Sequence, residues 1–417
     1  MPDCASYLNR MTSNNMARPM ASDGHNIPDH YRIQAGRLFP GGGGAPLADQ
    51  IIEIKAGVIS DISPAAGFGA DGAAEPVECF DIVAPGFIDL QINGAGGVMF
   101  NDTPDTATLA CMAAAARTGG TCHMLPTFIT APGTAYIAAL DAVAAWQGPE
   151  ILGVHLEGPF LSPAKPGIHP PGAIRHMTDQ DAATLAEFAG AYAGRLLLTL
   201  APEEVDPAHL ARLHAAGIIL FAGHSQATGA ELTRATDLGL RGVTHLFNAC
   251  SQITAREPGV VGTALTDSRL VAGIIADCHH VDPGNLALAA RMMARRLCLV
   301  SDSMPSFGST LQGFTIGDSK VRLVAGRLQA EDGTLGGAHL GLDEAVRTMV
   351  TKAGVPLAEA LHMASGVPAA VLGLQDSFGL IGSGRPASLT CLDERLAASA
   401  VIVDGALSVN KRGDAGA

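Results

Sequence analysis

No two of the eight cysteines (Cys4, Cys79, Cys111, Cys122, Cys250, Cys278, Cys298 and Cys391) form a CxxC pair. Several stand inside apolar runs, where a thiol behaves as a small hydrophobe, so they read as reduced structural residues. Basic residues are few: Lys and Arg total 26 against 40 for Asp and Glu, a formal charge of −14. That balance disfavours nonspecific attraction to nucleic acid or to an anionic membrane, and an anionic substrate would need a local basic pocket. No apolar stretch reaches the roughly 18 residues of a membrane span, and the opening MPDCASYLNRMTSNNMARPM lacks the apolar segment of a secretory signal. The cytoplasm is the expected compartment.

What is present is a long chain, 417 residues with 47% hydrophobic content, enough to bury a large core. Residues 1–30 are polar, broken by Pro and Gly, and read as a mobile tail. From Tyr31 to residue 84 short apolar runs (YRIQAGRLF, QIIEIKAGVISDIS, ECFDIVAPG) alternate with Gly-rich punctuation, a strand-rich unit. The Gly41–Gly44 stretch reads as a turn and not a phosphate cradle, because no helix opening with GK[ST] follows it.

Residues 85–373 carry eight apolar runs that close on polar residues: APGFIDLQI, TCHMLPTF, ILGVHLEG, RLLLTLAPE, IILFAGHS, GVTHLFNA, LVAGIIADC and RLCLVSDS. Most are separated by helical stretches such as TATLACMAAAARTG and DAATLAEFAGAYAG, a pattern that predicts a (β/α)8 barrel. Two further helices are expected in LDEAVRTMVTKAG and LAEALHMASGVPAAVLGL. Strand-like alternation then returns over 374–411, so the two chain ends are expected to pair into one small β domain, with 412–417 as a second tail.

In a barrel of this kind, strand C-termini share one mouth, where catalysis is normally found. Glu157 ends the third run, His224 the fifth, His245 the sixth and Asp302 the eighth. A lone His at a strand end is more often a packed residue, but four such side chains at the same end of four strands suit a metal centre better than packing. Glu157, His224 and His245 would supply three ligands to one divalent ion, with a position left open for water. Asp302 would be the proton carrier, and hydrolysis of an amide or ester is the chemistry implied. His155 faces the same side as Glu157 and is expected to pack or orient, not ligate; His123 and His214 read as structural.

The segments HLEGPF, AGHSQAT, THLFNACSQITAREPGVVG and APGFIDLQINGAGGVMFND resemble N-acetylglucosamine-6-phosphate deacetylases of the amidohydrolase superfamily, over roughly residues 31–410. The resemblance implies a TIM-type barrel with a small β-sandwich domain built from both chain ends, a homodimer, and removal of acetate from N-acetylglucosamine 6-phosphate. It agrees on Glu157, His224 and His245 as ligands and on Asp302 as the catalytic group. It places His169 near the acetamide and sugar hydroxyls, Asn248 and the backbone of Ala249 near the phosphate, and Arg256 and His280 beside them. The arginine of related dimers reaches in from the neighbouring subunit. A loop over the sugar corresponds to Leu335, Gly336, Gly337 and Ala338.

Simpler roles stand beside these. Arg256 could pair with Glu257 at the surface, Asn248 could cap a helix, and His279 competes with His280. Many amidohydrolases carry an HxH pair at the end of the first strand, whereas this chain has Gln91 and Asn93 there. Amides are poor zinc ligands, so one ion, zinc, is expected. The family more often reads LAGS at residues 335–338 and TDAM where this chain has SDSM, followed by Pro305 and Phe307. These departures leave hydrolysis intact and keep N-acetylgalactosamine 6-phosphate or another N-acyl compound open as the substrate. A sugar-phosphate binding protein without catalysis is a further alternative, against which the retention of Asp302 and all three presumed ligands argues.

Overall fold

The computed structural model describes residues 29–66 and 78–410. The expected tails, with Cys4, therefore lie outside the described residues, apart from the first residues before Tyr31. Strands β1 (His30–Leu38), β2 (Leu47–Lys55), β3 (Val58–Pro64) and β4 (Glu78–Pro85) come first. The barrel strands follow as β5 (Phe87–Ile92), β8 (Thr121–Ile129), β9 (Gly153–Glu157), β10 (Arg195–Leu200), β11 (Ile219–Ala222), β12 (Leu240–Val243), β13 (Val271–Ile274) and β14 (Leu297–Leu299). A minimal hairpin, β6 (Gly94–Ala95) and β7 (Val98–Met99), leaves the first barrel strand. All eight apolar runs of the sequence are barrel strands.

The barrel sheet runs β5-β8-β9-β10-β11-β12-β13-β14, every pair parallel. Its ends approach at the mouth, where Ile92 bridges Ser303 and Asp302 N–H donates to Gln91 O over 2.9 Å. Strands buried on both faces are rich in apolar residues, and all nine residues of β8 are buried, including the polar Thr121, His123 and Thr127. Helices surround the sheet, among them Thr106–Arg117, Asp179–Ala191, Leu342–Thr351 and Leu357–Ala364. Thr178 and Asp181 close a capping box on the second of these, satisfying N–H groups that a helix start leaves open.

The last strands, β18 (Leu389–Leu392), β19 (Ala398–Val403) and β20 (Ala406–Val409), return to the beginning of the chain. β18 pairs antiparallel with β4, giving the order β20-β19-β18-β4-β1-β2-β3. Alternate residues of both ends, including Ile33, Ile52, Ile54, Leu389, Ile402 and Leu407, share one core separate from that of the barrel. This is the small β-sandwich domain expected from pairing of the two ends.

One element escaped the sequence reading: an antiparallel sheet of β15 (Gly313–Ile316), β16 (Ser319–Val324) and β17 (Arg327–Ala330). Its signal was present, since residues 317–318 and 325–326 are two-residue turns whose Gly317, Ala325 and Gly326 have positive φ. Val321 and Leu328 pack with Met99, Ile129, Met304 and Ile316 into a small apolar cluster beside the barrel mouth.

Candidate metal centre and active site

Glu157 is the last residue of β9, while His224, His245 and Asp302 follow β11, β12 and β14 by two or three residues. Those three have φ of 48°, 31° and 49°, a left-handed conformation that L-residues seldom adopt. Each strand thus turns sharply at its end and aims a polar side chain into the mouth, a local strain of the kind found at functional sites. Gly158 has the same requirement: a methyl group there would collide with Thr130 Oγ1.

Three donor atoms converge. His245 Nε2 lies 2.9 Å from Glu157 Oε1 and 3.1 Å from His224 Nε2, and His224 Nε2 lies 3.3 Å from the same carboxylate oxygen. All three residues are buried. His224 Nδ1 lies 2.9 Å from Lys165 O; donation there leaves the Nε2 lone pair for a cation. Two buried imidazoles and a carboxylate meeting at one point suit a divalent ion. Burial would raise the Glu157 carboxyl, but His224 and His245 outweigh it and hold it well below the usual range. Burial opposes protonation of His245, yet Glu157 raises its affinity for a proton. The site favours positive charge at its centre.

His169 belongs to this cluster by position as well. One ligand atom each from Glu157, His169 and His224 lies within 4.8 Å of the others, and His169 Nε2 is 3.8 Å from Glu157 Oε2. Its Nδ1 is 2.9 Å from Thr130 Oγ1. Burial, reinforced by His224, pushes the ring down to about 3, so it is neutral.

Gln91 and Asn93 hold carboxylates in place. Gln91 Nε2 donates to Glu157 Oε1 (3.2 Å) and Asp302 Oδ1 (3.1 Å), and Asn93 Nδ2 donates to Asp302 Oδ1 (2.7 Å). Burial first, then the nearby Glu157 charge, pushes Asp302 up to about 6. Beneath the site, His155 spans Thr127 and Thr199 at 3.2 and 2.7 Å and packs as expected.

A cavity of about 380 Å³ opens above these groups. Of the residues singled out in the sequence, Glu157, His169, His224, His245, Asn248, Ala249, His280, Asp302, Leu335 and Gly337 line it. His280, not the exposed His279, faces the cavity, and its Nδ1 is 2.7 Å from Asp277 Oδ2. Asn248 caps no helix; its Nδ2 donates to His245 O and Leu246 O at 3.3 Å each.

Three of the residues expected to bind substrate are not brought to the cavity, and neither Pro305 nor Phe307 lines it. Gly336 and Ala338 lie behind its wall, where Ala338 N–H donates to Asp302 O over 2.9 Å and so fixes the backbone of Asp302. Arg256 is exposed and does not complete the pocket of its own chain. Nor does it pair with Glu257, whose Oε1 accepts from Gly229 N–H and Gly259 N–H at 2.7 and 2.9 Å.

Sequence reasoning missed Lys165, Ile129, Ile168, Ile275, Met304, Ile316 and Thr334 on the cavity wall. Lys165 had a signal, as a lone cation four residues before His169 in PAKPGIH. The apolar residues had none, because nothing in an isolated apolar run distinguishes a cavity wall from a core.

Comparison with known proteins agrees with this architecture. The model of the amidohydrolase family matches residues 82–411. An N-acetylgalactosamine-6-phosphate deacetylase from Shewanella sp. (strain ANA-3) is 38% identical over 362 residues, 85% of this chain and 91% of that protein. An N-acetylglucosamine-6-phosphate deacetylase from Haemophilus influenzae is 35% identical over 77% of this chain and 84% of its own. A solved Mycobacterium smegmatis N-acetyl-D-glucosamine-6-phosphate deacetylase mutant, in complex with N-acetyl-D-glucosamine-6-phosphate, superimposes with a TM-score of 0.83 at 28% identity, covering 92% of this chain and all of that one. With its barrel, its end-to-end β domain and these relatives, the chain belongs to the amidohydrolase family.

Proposed function

We propose that the chain hydrolyses the N-acetyl group of N-acetylglucosamine 6-phosphate, releasing acetate and glucosamine 6-phosphate. The observation that carries this reading is the convergence of Glu157 Oε1, His224 Nε2 and His245 Nε2 within 3.3 Å, beside a buried Asp302 and under a cavity of sugar-phosphate size. Glu157, His224 and His245 would hold a single ion, with zinc suited to the donors. Bound there, it would make water acidic enough to ionise near neutral pH and would polarise an acyl oxygen.

Asp302 takes the proton of the attacking water as oxygen bonds to the acyl carbon, and returns it to the amine nitrogen as the C–N bond breaks. Gln91 and Asn93 fix the direction of Asp302. The neutral ring of His169, positioned by the contact of its Nδ1 with Thr130 Oγ1, stands beside the acyl group and orients it for attack. His280, oriented by Asp277, together with Asn248 and the amide of Ala249, receives the phosphate, and Lys165 supplies a cation from its own chain. Arg256, exposed on its own subunit, completes the pocket of a second copy, which makes the working unit a homodimer. Leu335 and Gly337 contact the sugar, with Gly336 and Ala338 supporting them.

We assign residues 31–84 and 374–411 to one β domain and 85–373 to the barrel. Seven described cysteines, none in a disulfide, suit a reducing cytoplasm, and no described helix is long and apolar enough to cross a membrane.

A second reading, the galacto epimer, is favoured by the 38% identity to the Shewanella relative, and the altered loop at residues 335–338 is compatible with it. Acetate release by zinc-loaded protein from both epimers and from unphosphorylated N-acetylglucosamine decides between them. Preference for the gluco phosphate supports the main reading, and preference for the galacto phosphate replaces the substrate while keeping the chemistry. Release from neither overturns both in favour of another acyl substrate or a binding role.

A further inference from the structure

At the opposite end of the barrel lies a second cavity of about 420 Å³. Arg195 opens β10, Arg241 is the second residue of β12, and Arg295 lies in the 3-10 turn that leads into β14. These three line the cavity with Arg269 and His214, and no Asp or Glu does. The remaining walls are apolar or small: Ile218, Val271, Val367 and Val371, with Gly217 and Gly373 at positions where a methyl group would meet nothing within 4 Å.

Charge bookkeeping singles this cavity out. Arg269 is paired with Asp237 and Asp267 at 2.7 and 2.6 Å. Arg195 is held by its Nε–H, which donates to Leu372 O over 2.8 Å, but a carbonyl does not neutralise it. Arg241 and Arg295 have no carboxylate partner among the described residues. In a chain of net charge −14, uncompensated guanidinium groups are thus gathered around one concave surface. The arginine fork matches phosphate oxygens, and an anion in the cavity would meet several of these groups at once.

We propose that this cavity binds a phosphorylated small molecule, at a site distinct from the catalytic mouth. The phosphate sits between Arg195, Arg241 and Arg295, with Arg195 preset by Leu372. The apolar side formed by Val367, Val371 and Ile218 takes the uncharged part of the ligand. Its volume, close to that of the catalytic cavity, suits a molecule of hexose-phosphate size.

The test is calorimetric titration of pyrophosphate and of glucose 6-phosphate into the metal-loaded full chain, in the wild type, R241E/R295E and the milder R241Q/R295Q. Both double variants should bind the probes at least about tenfold more weakly, the charge reversal more so. Their melting temperature and the kcat and KM for acetate release should stay as in the wild type. Equal affinity in wild type and variants overturns the proposal, as does absence of binding to the wild type. A rise of KM in step with lost binding also overturns it, since the probe then occupies the catalytic mouth. Because affinity is read independently of turnover, failure here is distinguishable from failure of the deacetylase assignment.

Discussion

Asn93 Nδ2 donates to Asp302 Oδ1 over 2.7 Å, joining the end of the first barrel strand to the end of the eighth. Where relatives with an HxH pair would place a metal-binding imidazole, this chain places a donor that favours the ionised carboxylate. Asp302, pushed up to about 6 by burial and then by Glu157, must be deprotonated to accept a proton. Activity should therefore fall on the acid side. In N93A the charged form loses a donor, so the acid limb should move to higher pH by about one unit. A pH–rate profile checks this, and an unmoved limb would show that the contact does not set the ionisation of Asp302.

Replacing Asp302 by Asn keeps the volume and removes the base. Turnover should drop by about 10²–10⁴-fold while bound metal stays near the wild-type level. Acetate release together with elemental analysis of the same sample measures both, and full activity in D302N would remove Asp302 from the mechanism.

One ion per chain is expected, because Gln91 and Asn93 donate hydrogen bonds to the carboxylates. H224A should lose most of its metal, since the donor set falls from three to two. Chelation of the wild type should abolish acetate release and zinc should restore it. A stoichiometry of two would mean that a second set of ligands exists elsewhere in the mouth.

Away from the chemistry, Asp181 accepts two parallel bonds from Arg175, at 2.6 and 2.7 Å, and further bonds from Thr178 and Tyr136. Burial would raise this carboxyl, but Arg175 and Thr178 together hold it well below the ordinary range. A depressed carboxylate contributes stability above its unfolded pKa of about 3.9 and loses it as pH falls toward the folded value. D181N should cost about 2–3 kcal/mol at pH 7, with the partial exposure of Arg175 limiting the loss. Its stability should also fall less steeply below pH 4. Urea unfolding at pH 7 and pH 3 reads both effects.

Much of this protein was legible in one dimension. The eight barrel runs were visible because a strand buried on both faces is dominated by apolar residues, as β8 is apart from Thr121, His123 and Thr127. The polar residues that end four of them stood out against that background, so Glu157, His224, His245 and Asp302 could be named before any coordinates. Pairing of the chain ends followed from the return of strand alternation after residue 374.

Only the tertiary structure decided how those residues are used. Gln91 and Asn93 read as absent metal ligands in sequence and act as hydrogen-bond donors, because barrel closure at Ile92 and Ser303 brings them against Asp302. Arg256 reads as part of the phosphate pocket, yet its segment leaves it exposed on its own chain. Arg195, Arg241 and Arg295 are scattered over a hundred residues and form one surface because parallel strands set their N-terminal ends side by side. Periodicity and composition are local consequences of burial and can be read locally. Proximity of residues far apart in the chain depends on strand order and closure, and only the folded chain contains it.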